Sequence, residues 1–198
     1  MYFLEARSSQ LTAGFTLVEM IIAVSLFTVV ALISTAALLS LADANRKAQA
    51  LQSVMNNLNI ALDGMVRSIR MGSTYHCVPD GSPDDVFTSP RPCPDGGMTF
   101  ALERYGGNPS DARDQWLYWF QNGRIYKSET GSKAGGFALT TPEVSIDAMS
   151  FYVVGTTRGD VEQPKVLITI KGTASAQNVR TKTSFSIQAT AVQRLLDL

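Results

Sequence analysis

The chain has 198 residues, 45% of them hydrophobic, and zero formal net charge. That length holds one ordinary domain and an appendage. Balanced charge, with no basic stripe interleaved with aromatics, argues against a nucleic-acid partner. The two cysteines and single histidine supply no cluster at zinc spacing.

The opening residues, MYFLEARSSQLTAG, do not follow the order of a secretory signal peptide, in which a short apolar segment precedes small residues at the cut. Here the small polar residues and Gly14 come first, so cleavage there would leave the apolar segment on the mature chain. From 15 to 42 the only charged residue is Glu19. As an α-helix this run is roughly 42 Å long, against a hydrocarbon core of about 30 Å, so one membrane span is expected. No later stretch is long and apolar enough for a second. An acid in the first turn of a helix meets the positive end of its dipole for about 0.3–1 kcal/mol and can snorkel towards headgroups. At a bilayer centre an ionised side chain costs about 2.5–3.5 kcal/mol on insertion scales, so a cationic partner for Glu19 would matter there.

"GFTLVE", from Gly14 to Glu19, followed by "MIIAVSLF", closely resembles the cleavage and methylation site of type IV pilins and type II secretion pseudopilins. The resemblance rests on the glycine, the phenylalanine after it, the acid at the fifth mature position and the unbroken apolar run. It implies that a prepilin peptidase cuts between Gly14 and Phe15 and N-methylates the new Phe15 amine. It implies also that Glu19 neutralises the amine of a neighbouring subunit during assembly. The partners so implied are other pilin or pseudopilin subunits, the peptidase, an inner-membrane assembly platform and membrane lipid, with no cofactor. The implied location is a single pass through the inner membrane with the C-terminal domain extracytoplasmic, and then the pilus or pseudopilus. Charge counting opposes this orientation, because Arg46 and Lys47 follow the span while only Arg7 precedes it. The motif and the cysteine pair outweigh that count. Glu19 argues against the tip pseudopilin type, which characteristically lacks the acid.

Past residue 42, Leu51, Val54, Met55, Leu58, Ala61, Leu62, Met65, Val66 and Ile69 recur at three- and four-residue spacing, the mark of an amphipathic helix. No proline lies between 15 and 70, so one helix of about 55 residues is expected, ending near Gly72. Residues 73–97 hold five prolines and read as an irregular segment. Cys77 and Cys93 are spaced too widely for a redox pair; a disulfide is the better reading and unpaired thiols the alternative. A bridge would place this part in an oxidising compartment. It would close a loop of roughly 15 residues, for about 3 kcal/mol.

Strands follow. "QWLYWFQNGRIYKSE" reads as a hairpin, two aromatic or β-rich runs joined by Asn122-Gly123, which suits a type I′ turn. Further strands are expected at 98–104, 145–154, 164–171 and 183–192. The expected fold is α+β: a long N-terminal helix, membrane-spanning in its first half and amphipathic in its second, packed on one antiparallel sheet. The segments are a leader at 1–14, the membrane and assembly half of the helix at 15–42, its amphipathic half at 43–72, a disulfide-closed loop at 73–97 and a sheet domain at 98–198. "QNGRIYKSE" and "FSIQATAVQR" also resemble the sheet of J-type and W-type minor pilins.

Catalytic chemistry is not evident. His76 has no companion ligands and reads as a surface loop residue. Asp80, Asp84 and Asp85 lack EF-hand spacing and read as solvated turn acids. Trp116, Tyr118 and Phe120, alternating with Leu117 and Trp119, read as sheet core. No catalytic residue, metal ligand or enzyme is expected. The function expected is that of a minor pilin or pseudopilin, a structural subunit of a type IV pilus or type II secretion pseudopilus. The alternative is a single-pass membrane-anchored extracytoplasmic binding domain that joins no fibre.

Overall fold

The computed structural model describes residues 14–80, 87–159, 162–175 and 182–194. The expected leader, apart from Gly14, lies outside the described residues, as do Asp84 and Asp85. Two compact units divide the chain, Met1–Asn45 and Arg46–Leu198.

A single helix, α1, runs over Leu17–Met71. In the first unit it is apolar all round, and its large side chains from Leu17 to Leu41 are exposed. Hydroxyls along this stretch turn back on the helix: Ser25 donates to the Ile22 carbonyl, Thr28 to Ser25 and Thr35 to Ala31, each at 2.8 Å. Such back-bonding leaves those three donors satisfied without water.

In the second unit α1 is one-sided. Val54, Leu58, Ala61, Leu62, Met65 and Ile69 are buried, and Asp63, Gly64 and Arg67 lie on the exposed side. At Gly72 the helix stops with its end closed. The Gly72 amide donates to the Ser68 carbonyl at 2.9 Å, the Tyr75 hydroxyl to that of Ile69, and the Arg194 amide to that of Arg70 at 2.8 Å. Three carbonyls that a helix C-terminus leaves open are thereby satisfied. A Cβ at position 72 would run into the Leu102 side chain, so only glycine lets the chain turn this close to the sheet.

Among the described residues two antiparallel sheets follow, where one was expected. The five-stranded sheet has the order β1 (Ser73–Val78), β3 (Thr99–Glu103), β4 (Trp116–Gln121), β5 (Arg124–Ser128), β6 (Phe137–Ala138). The four-stranded sheet has the order β2 (Cys93–Gly97), β7 (Val144–Val154), β8 (Lys165–Ser175), β9 (Lys182–Val192). The hairpin over 116–128 is present with Gln121 paired to Arg124. Asn122 and Gly123 both take positive φ, 49° and 74°, as a type I′ turn requires. The expected strands at 98–104, 145–154, 164–171 and 183–192 correspond to β3, β7, β8 and β9.

The segment 73–97 is not irregular throughout, because β1 and β2 occupy its two ends. They belong to different sheets, so the Cys77–Cys93 disulfide, with Cα atoms 5.8 Å apart, ties the sheets together. The stretch just before β2 is stitched to β1 as well: the Cys77 amide donates to the Arg91 carbonyl at 3.0 Å, and the Arg91 amide to that of Tyr75 at 2.9 Å. A side chain at Gly97 would strike both sulfurs.

The main core lies between α1 and the sheets, built from the buried helix stripe with Tyr75, Phe100, Leu102, Tyr118, Ile125, Phe151, Ile168 and Ile170 among its members. Because strand side chains alternate, the other face of the five-stranded sheet needs its own cover. Val78, Phe87, Ala101, Leu117 and Trp119 supply it, with Trp119 stacked on Tyr126 at 5.5 Å. His76 joins this second face. It is buried, edge-on to Phe87 at 5.4 Å, with Nδ1 2.7 Å from the Ser89 carbonyl oxygen. The surface loop expected for it is corrected: the residue sits on β1, whose strand signal the prolines around it concealed.

Candidate processing and assembly site

The site begins where the described chain does. Thr16 precedes the first helical residue, and its carbonyl accepts the first helical bond from the Met20 amide at 3.2 Å. Its hydroxyl accepts from the Glu19 amide, also at 3.2 Å. Thr16 is therefore the helix N-cap and Glu19 the third helical residue, the Thr-x-x-Glu spacing of a capping box. Sequence reasoning weighed Glu19 only for its charge and missed Thr16, although T-x-x-E before an apolar run is a legible start signal.

Around the cap every side chain is available to another molecule. Phe15 is 79% exposed and Leu17 75%. Gly14 is exposed, and a Cβ built on it would meet no atom within 4 Å. Gly14, Phe15, Thr16 and Glu19 are thus gathered on the first turn, at the head of the one helix among the described residues long and apolar enough to cross a membrane. Cys77 and Cys93 take no part, lying in the core of the second unit.

The arrangement holds no nucleophile beside a base, and among the described residues no group of three or more His, Cys, Asp or Glu side chains gathers to hold a metal ion. What it offers is an exposed glycine bond just before the cap, a carboxylate one turn away, and an apolar surface behind both. The prokaryotic N-terminal methylation motif matches residues 11–35.

The chain carries the signature of type IV pilins and pseudopilins.

No curated protein and no solved structure matches the chain. The pilin signature is that of structural subunits rather than enzymes. The pilin-like arrangement extends beyond the matched residues, since a long N-terminal helix packed on antiparallel sheets completes the chain. The disulfide and the apolar helix accord with a pilin-type subunit held in a membrane.

Proposed function

We propose that the chain is a minor subunit of a type IV pilus or a type II secretion pseudopilus, cut by prepilin peptidase between Gly14 and Phe15 and N-methylated on Phe15. The observation that carries this reading is the Gly14–Phe15–Thr16–Glu19 constellation at the start of an exposed apolar helix. Among the described residues, nothing demands glycine at position 14. Its smallness answers to another molecule, and a peptidase that must close on the backbone is such a molecule.

Cleavage frees a cationic amine one residue before the cap. The helix dipole and that amine then place positive charge together, and Glu19 in the first turn offsets both. Within one subunit, Glu19 is tied to the cap by its backbone, and its carboxylate is exposed. In a bundle of like helices withdrawn from lipid, it faces the Phe15 amine of a neighbour, and low dielectric makes that pairing strong. The sister subunits, the assembly platform and an extracytoplasmic position for the sheet domain belong to the same reading. The likeness of "QNGRIYKSE" and "FSIQATAVQR" to the sheet of J-type and W-type minor pilins supports the minor-subunit assignment.

The mature N-terminus decides. Mass spectrometry of the protein from cells carrying the peptidase is expected to find a chain starting at N-methyl-Phe15. An intact Met1 leader would instead identify a membrane-anchored domain that joins no fibre. Glu19→Gln is expected to cut the sheared-fibre fraction about tenfold or more, as the loss of roughly 1.4 kcal/mol per contact predicts. The melting temperature of the sheet domain should stay unchanged. Wild-type assembly of that variant would refute the pairing.

A further inference from the structure

The corner where β3 leaves the five-stranded sheet and β4 enters it holds more oxygen than its hydrogen bonds use. Glu103 ends β3 and is 2% exposed; Gln115 precedes β4 and is fully buried. Between them the loop "RYGGNPSDARD" folds back so that Asp114 Oδ2 accepts from the Asn108 amide at 2.8 Å. The Gln115 side-chain amide donates to Glu103 Oε2. Glu103 Oε1 comes so close above Gly107 that a Cβ there would overlap it, and Asp114 Oδ2 lies 3.0 Å from that same point. Gly107 is thus a floor, and two carboxylates share the space over it.

Three buried oxygens of this corner accept no hydrogen bond from the described residues: Glu103 Oε1, Asp114 Oδ1 and Gln115 Oε1. All three are acceptors, two of them on acids, and nearby positive charge does not satisfy them. Arg113 is exposed and turned to Asp111 at 3.1 Å, and Arg104 is exposed. Burial first, and the Asp114 charge second, push the Glu103 carboxyl above its usual range, with Arg104 pulling the other way. One shared proton could join two of the oxygens and would leave the third unmet. A hard divalent cation takes several oxygens at once from carboxylates, side-chain amides, backbone carbonyls and water.

We propose that Glu103, Asp114 and Gln115 form a divalent-cation site of the calcium class, with the remaining ligands supplied by the 104–114 loop and water. The flexible geometry and mixed oxygen donors suit Ca²⁺ better than Mg²⁺, which demands a near-octahedral shell and dehydrates reluctantly. Ordering of the β3–β4 loop would follow, since its two ends would be clipped by the same ion. This site shares no residue with Gly14, Phe15 and Glu19, and its success or failure is independent of the fibre reading.

The test uses the full chain in detergent micelles with its disulfide intact. Calorimetric titration with CaCl₂ is expected to report one site per chain, and absence of binding would overturn the proposal. Against an EGTA control, 10 mM CaCl₂ should raise the melting temperature by about 3–10 °C for a site of extracellular strength, with MgCl₂ doing less. Glu103→Gln should lose that increment while melting no lower than wild type in EGTA, because it removes one of two like charges. Asp114→Asn serves as the second variant and should lose the increment also. An increment that survives both substitutions would place the ion elsewhere and refute this site. A wild type indifferent to calcium but stabilised on acidification from pH 7 to 5 would identify a shared proton instead.

Discussion

Two tyrosines carry much of the strain between chemistry and burial in this molecule. Tyr75 and Tyr118 are 1% exposed each, and burial raises both phenols, that of Tyr118 to about 12 and that of Tyr75 further. Raised native values mean that the unfolded chain ionises first. Stability is therefore complete below about pH 10, the ordinary phenol value, and is lost as pH rises from there through the native values. Absorbance titration at 295 nm should show these two of the six tyrosines ionising only together with loss of the near-UV circular dichroism. Smooth titration of all six around pH 10, with the fold intact, would contradict the burial. At this scale the sequence was legible for the alternating residues 116–120, whose surroundings are set by neighbours in the chain. It was not legible for His76, because what buries that ring is Phe87, brought over it by a turn with no periodic signal.

Among the elements, α1 reads most clearly. Its length, its end at Gly72 and its change from uniform to one-sided hydrophobicity follow from local rules: no proline, a capping threonine, and apolar spacing of three and four. Gly64 is the exception within it. A glycine in mid-helix costs about 1 kcal/mol relative to alanine, and an added Cβ at this position would meet nothing within 4 Å. Gly64→Ala should therefore stabilise the isolated subunit by about 0.5–1 kcal/mol, seen as a higher denaturation midpoint at unchanged m-value. Destabilisation would mean that the exposed side of the helix packs against something within the subunit. The strands were legible in proportion to their length and alternation. The 11-residue β7, β8 and β9 and the Asn-Gly hairpin stood out. The short β1, β2 and β6 did not, since prolines and glycines mask β1 and β2 and a two-residue strand has no period to read.

For the molecule as a whole, the division into two sheets is the feature that sequence patterning does not encode, because alternation reports faces and not partners. The disulfide makes the division tolerable by bridging β1 to β2 across the sheets. Cys77→Ser with Cys93→Ser should lower the unfolding free energy of the sheet domain by about 2–4 kcal/mol, measured by urea titration in detergent. An equal midpoint before and after reduction would show that the backbone bonds of Arg91 hold the sheets by themselves. Two small residues, Gly72 and Gly97, show the same economy of space, each set where one element must pass close to another.

The amide of Arg194 closes the end of α1 at Arg70, and β9 lays Phe185, Ile187 and Ala189 on the core. Early and late stretches of the polypeptide are thus seamed together, and the helix terminus cannot be sealed before residue 194 arrives. Maturation must wait for synthesis to reach that point, and contacts this distant in sequence are slow to form. Until those residues arrive, the apolar stripe of α1 lacks the part of its cover that β9 supplies.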